Sequence, residues 1–172
     1  SGSWDKTPKL WDVESGRCLR TFSEHEGGVS SVCLSADGCY ALSGSFDHTL
    51  KLWEIESGCC LRTFEGHTGT ATSVCLSSDG RYALSGSDDR TLKLWEVATG
   101  RCLHTFVGHN VMVKSVSLSA DGRCALSGSY DRTLKLWELD WNGEAPAASF
   151  MLSQVQQAQE ALTRQQAFNR SL

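Results

Sequence analysis

Short runs of β-forming residues, each closed by a cluster of Gly, Asp and Ser, succeed one another along most of this chain. From His25 the order is VSSVCLS at 29–35, a turn at Ala36, Asp37 and Gly38, then YALSGS at 40–45. A turn at Phe46, Asp47 and His48 follows, then TLKLWEI at 49–55, a turn at Glu56, Ser57 and Gly58, and CLRTF at 60–64. Turn signals every 8–12 residues predict four short strands in an antiparallel meander. The pairs Asp37-Gly38, Asp79-Gly80 and Asp121-Gly122 strengthen this reading, because tight hairpin turns need positive φ. No helix is expected before residue 145.

The same meander returns every 42 residues. Trp11, Trp53, Trp95 and Trp137 are evenly spaced, as are His25, His67 and His109, and residues 43–84 and 85–126 agree at 26 of 42 positions. A period of this length marks a fold built from copies of one unit. A lone four-stranded sheet cannot bury both faces, and repetition supplies the neighbours it needs.

Within the copies, Gly-His stands at 66–67 and 108–109, SSDG or SADG at 77–80 and 119–122, and DxTLKLW at 47–53, 89–95 and 131–137. In order, spacing and period these motifs resemble the tryptophan-aspartate (WD) repeat family of β-propellers, over residues 1 to about 140. Departures are small: Glu24 replaces the Gly before His25, and Glu follows the repeat Trp in three copies where Asp12 follows Trp11. The expected architecture is all-β, a partial β-propeller of about three and a half four-stranded antiparallel blades. Its blades are expected at 1–22 (partial), 24–64, 66–106 and 108–140, the last without its fourth strand. A linker at 141–148 and a C-terminal α-helix at 149–172 complete the expected layout. The helix rests on a Gln-, Ala- and Leu-rich composition and an apolar stripe of Met151, Val155, Ala158 and Leu162. Missing blades would come from a longer chain or from self-association.

Composition narrows the function. Net charge is −4, with signs interspersed, which argues against a nucleic-acid footprint. No apolar run approaches 18 residues and no signal peptide opens the chain, so no membrane role is expected and a cytoplasmic protein is. Of eight cysteines, five recur at repeat positions inside apolar runs: Cys18, Cys60 and Cys102 at one, Cys33 and Cys75 at another. No CxxC occurs, so buried free thiols are expected, with no metal and no cofactor. His48 aligns with Arg90 and Arg132, and His104 with Arg20 and Arg62, as expected of exposed positions that accept any basic residue.

Each copy also holds the residue types of nucleophilic acyl transfer: His25/Ser43/Asp47, His67/Ser85/Asp89 and His109/Ser127/Asp131. Catalysis needs one such set in a pocket with an exposed nucleophile, whereas here three occupy equivalent positions. The family resemblance implies a structural network instead, closed by the indole N–H of Trp53, Trp95 or Trp137.

If repeated positions hold the blades, function belongs where the copies differ. The residue before each turn Asp is Trp4, Phe46, Asp88 or Tyr130. The resemblance places this position on the top face, joined by first-strand positions Gly28 and Ser30, Thr70 and Thr72, and Met112 and Lys114. Together they suggest a binding face for other proteins or peptides, since large aromatics and Met make favourable interface anchors. A non-catalytic interaction scaffold is the expected function. The alternative is a regulatory or sensor segment of a larger signalling enzyme.

Overall fold

The computed structural model describes residues 1–139 and the backbone pairing of residues 149–150. Its described part is all-β, in four antiparallel sheets. Strands β1 (Lys9–Trp11) and β2 (Cys18–Thr21) form the first sheet. The second runs through β3 (Val29–Leu34), β4 (Tyr40–Ser45), β5 (Leu50–Glu54) and β6 (Cys60–Phe64). The third holds β7 (Ala71–Leu76), β8 (Tyr82–Ser87), β9 (Thr91–Glu96) and β10 (Cys102–Val107). The fourth holds β11 (Val113–Leu118), β12 (Cys124–Ser129), β13 (Leu134–Glu138) and β14 (Ser149–Phe150). Strands pair in chain order within every sheet, so each is a meander.

The turns carry the chemistry that the sequence predicts. Gly38, Gly80 and Gly122 lie at φ +71°, +69° and +69°, a region closed to most side chains. Less expected, Lys6, His48, Arg90 and Arg132 share this left-handed conformation, at φ 67–73°. The preceding Asp fixes them there. Asp47 Oδ1 accepts the Thr49 N–H at 3.0 Å and the Thr49 hydroxyl at 2.7 Å, pulling the turn closed over His48.

The core lies between sheets. Leu42, Leu50, Leu52 and Phe64 of one sheet pack on Ala71, Val74, Ala83 and Trp95 of the next. The following joint repeats the set with Leu84, Leu92, Leu94 and Phe106 against Val113, Val116, Ala125 and Trp137. A smaller cluster of Phe22, Ala41 and Trp53 closes the first joint. Glycine lets the sheets approach: a Cβ on Gly86 would lie 2.6 Å from Val113 Cγ1, and one on Gly44 would lie 2.8 Å from the Ala71 carbonyl oxygen.

One expectation about the strands differs from the structure. The fourth sheet was expected to stop at three strands, yet Ser149 and Phe150 pair with Glu138 and Trp137. The open edge of β13 presents unpaired N–H and C=O groups that a later segment can use, whereas the period-aligned stretch contains Pro146, which has no N–H to give. Of the expected C-terminal helix at 149–172, only the backbone pairing of Ser149 and Phe150 is described; residues 151–172 and the linker at 141–148 lie outside the described residues.

Candidate functional site

Each of the three four-stranded blades is pinned by one polar network. His25 sits just before β3, Asp47 in the β4–β5 turn, Ser43 in β4 and Trp53 in β5. Asp47 Oδ2 accepts the His25 Nδ1 proton at 2.7 Å, so Nε2 is free to accept from the Ser43 hydroxyl, also at 2.7 Å. The Trp53 indole N–H donates to Ser43 Oγ at 2.8 Å. The second network has the same three lengths: His67–Asp89 2.7 Å, His67–Ser85 2.7 Å and Trp95–Ser85 2.8 Å. The third reads His109–Asp131 2.7 Å, His109–Ser127 2.8 Å and Trp137–Ser127 2.8 Å. The expected members therefore meet in all three copies.

Burial decides what these sets can do. Ser43 and Ser85 are 0% exposed and Ser127 1%, so no substrate carbonyl can reach their hydroxyls. Each Ser Oγ also holds an indole N–H. The three sets match an acyl-transfer triad in composition and bonding order, but not in access. Every buried side-chain polar atom among the described residues has a partner, which makes their burial tolerable. Burial pushes the His25 pKa down, partly offset by Asp47. Asp47 itself resists the opposing effect of burial: hydrogen bonds from Thr49 and His25 hold its carboxyl at about 2. Asp89 and Asp131 are also held below the usual carboxylate range by their His and Thr donors, against the same burial effect.

The variable positions behave differently. Trp4 is 80% exposed and Tyr130 59%, while Phe46 and Met112 are open at 38% and 37%. Trp4 and Phe46, from successive blades, bring their rings to 4.6 Å between centroids, tilted at 38°. Gly28 lies beneath them; a Cβ there would sit 3.2 Å from Trp4 Cα and 3.4 Å from Phe46 Cδ2. Asp88 is half-buried and Lys114 exposed. Thr70, expected on this face, is buried.

Ser30 and Thr72 belong to joints between blades. Each is the extra residue of a β-bulge, between Val29 and Ser31 or between Ala71 and Ser73. A bulge re-aims the side chain. Thr72 Oγ1 donates to Gly86 O at 3.0 Å and to Val113 O of the next blade at 2.5 Å; Ser30 Oγ donates to Gly44 O and Ala71 O in the same way. A one-residue register shift has no signature in an apolar-polar pattern, which is why the sequence did not reveal it.

The basic strand positions were likewise read only as exposed. Arg20 donates to the Ser57 carbonyl at 2.9 Å and to the Glu56 carbonyl at 2.6 Å, and Arg62 donates to Thr99 O at 2.9 Å, across successive blades. His104, at the third equivalent position, turns onto Phe106 with centroids 4.5 Å apart.

All eight cysteines are free thiols, but their burial is corrected. Cys18, Cys39 and Cys59 are exposed and the other five are half-buried. Burial raises the Cys33 thiol to about 11, and burial with Cys33 nearby raises Cys75 to about 12. Among the described residues, no group of three or more His, Cys, Asp or Glu side chains could hold a metal ion.

Repeated meanders, each locked by an Asp–His–Ser–Trp network, define a blade-built interaction fold. The WD domain, G-beta repeat family matches the chain at 16–54, 58–96 and 100–138, and the chain belongs to that family. Each match starts at or before the outer strand of one blade and ends in the third strand of the next. It is 50% identical over 40 residues to the F-box-like/WD repeat-containing protein TBL1X of Mus musculus, covering 23% of this chain and 8% of that one. TBL1Y of Homo sapiens gives the same identity and coverage. The Lissencephaly-1 homolog of Heterostelium pallidum is 42% identical over 43 residues, covering 25% and 10%. The chain thus matches a tenth or less of the length of these relatives.

Proposed function

We propose that this chain is a non-catalytic scaffold that captures protein or peptide partners through Trp4, Phe46, Asp88, Tyr130, Met112 and Lys114. The observation that carries this reading is the exposure of Trp4 and Tyr130 at a turn position where the copies diverge in size and charge. Exposed aromatic side chains next to rigid turns bury large area with little loss of freedom, as interface anchors do. Asp88 and Lys114 add one charge of each sign and bias the choice of partner. WD repeats bind other proteins in general, and a cytoplasmic, membrane-free setting accords with the free thiols and the charge pattern.

The test is selection of peptides from a random displayed library on the full chain, followed by rebinding to a Phe46→Ala/Tyr130→Ala variant. We expect losses of at least about ten-fold in affinity, as for paired hot-spot residues, with the melting transition in place. Peptides that bind the variant as well as the parent would overturn the assignment. The alternative, a sensor segment of a larger signalling enzyme, draws only on the far greater length of the relatives.

A further inference from the structure

Three residue types share one awkward backbone position. Lys6, His48, Arg90 and Arg132 stand at the same turn of successive blades, at φ 71°, 69°, 73° and 67°. Glycine takes this left-handed conformation without strain, and a residue with a Cβ does not. The turn nevertheless keeps a basic residue in every copy, although the residue itself changes from Lys to His to Arg. The fold does not use these side chains. All are exposed, and none makes a hydrogen bond, ion pair or ring contact among the described residues. Nor do they pair with the Asp beside them. Asp89 Oδ1 holds the Thr91 N–H and hydroxyl, and its Oδ2 holds His67 and the Thr68 N–H. Asp131 is filled in the same way by Thr133, His109 and the Asn110 N–H.

The row lies at the end of the blades that carries the variable residues, each base two positions after Trp4, Phe46, Asp88 or Tyr130. Its cationic character is strongest over the last two blades. Lys114, the extra residue of the bulge between Val113 and Ser115, is exposed and unpaired there, where Ser30 and Thr72 bond to the next blade. Acids on the entering loops are Glu24, Glu26 and Glu65, before β3 and β7, and the loop into β11 has none. Asp88, half-buried, is the remaining acid beside Arg90.

We infer that the row takes an acidic peptide, laid extended across the blades with one carboxylate on each base. This rests on the reading of this end as the partner face and names the partner's chemistry. Packed sheets stand about 10 Å apart, and an extended chain rises about 3.3 Å per residue. A carboxylate at every third residue therefore meets successive bases. Arg90 and Arg132 offer planar forks that pair with both carboxylate oxygens. Trp4, Phe46 and Tyr130 receive the apolar side chains that lie between the carboxylates.

The experiment is fluorescence anisotropy with three dye-labelled peptides of equal length, on the full chain and on an Arg90→Gly/Arg132→Gly variant. One peptide carries glutamate at every third position with leucine and alanine between. The second has the same residues with the glutamates adjacent, and the third has glutamine for glutamate. The spaced peptide should bind at least about five-fold tighter than either other at about 50 mM salt, and the gap should narrow at about 300 mM. The variant should lose at least about five-fold for that peptide. It should melt no more than about 3 °C below the parent, because glycine relieves the turn. Equal binding of the spaced and glutamine peptides would overturn the inference. So would equal binding of the adjacent-glutamate peptide, which marks unspecific attraction. A larger drop in melting temperature would assign the bases to the fold and equally overturn it. The partner face is tested apart from its acidic ligand. Library-selected peptides that lose affinity on Phe46→Ala/Tyr130→Ala but not on Arg90→Gly/Arg132→Gly would keep the face and refute the ligand.

Discussion

Ser85 shows at one residue why three apparent triads are scaffold. Its hydroxyl joins His67 at 2.7 Å and Trp95 at 2.8 Å, at 0% exposure. Removing it leaves an imidazole nitrogen and an indole N–H without a buried partner, each costing about 1–3 kcal/mol. Ser85→Ala is therefore expected to lower stability by about 2–6 kcal/mol, measured by urea unfolding. An unchanged midpoint would refute the assignment.

The pH dependence follows from the same group of side chains. Both His25 and Asp47 have folded pKa values below their unfolded ones, 6.5 and 3.8. The unfolded chain then binds protons more readily, so stability is full above the unfolded value and falls with pH below it. The melting temperature should begin to drop below about pH 6.5 as His25 is driven to charge, and drop again between about 4 and about 2 as Asp47 protonates. A flat profile from pH 7 to 3 would contradict this. The raised thiols predict chemistry of their own, since the thiolate is the nucleophile. Iodoacetamide should label Cys39 and Cys59 well before Cys33 and Cys75 in the folded chain, and even labelling in mass spectrometry would count against the burial described.

At the scale of elements, strands and turns were legible because Asp-Gly pairs and apolar runs speak through local physics. The networks were legible too, because repetition separated them from a catalytic set. What escaped was side-chain direction. The bulges at Ser30 and Thr72 turn hydroxyls expected on the top face into bonds between blades, and Arg20 and Arg62 reach a neighbour that no local pattern reveals. Joint geometry makes a paired prediction. Gly86→Ala drives a methyl to within 2.6 Å of Val113, while the same change at Gly128 meets only Leu134 at 3.3 Å. Overpacking costs about 1–3 kcal/mol at the first site and should cost less than half of that at the second. Equal losses in thermal unfolding would mean that the sheets do not meet as described.

Over the whole molecule, the account divides the chain into positions that repeat and positions that vary. The repeating ones pair strands, fill joints and satisfy buried polar groups. The varying ones, Trp4, Phe46, Asp88 and Tyr130, stand at one turn of each blade, with Trp4 and Tyr130 largely in solvent and Phe46 partly so. Stability and recognition should then separate cleanly under substitution. The most direct measurement is a crosswise one: peptide affinity and urea midpoint, taken together, for Ser85→Ala and for Phe46→Ala/Tyr130→Ala. The account predicts that the first lowers the midpoint and leaves affinity within about two-fold, and that the second lowers affinity about ten-fold or more with the midpoint unchanged. Loss of binding on Ser85→Ala in a fully stable chain, or unfolding on loss of the two aromatics, would contradict it.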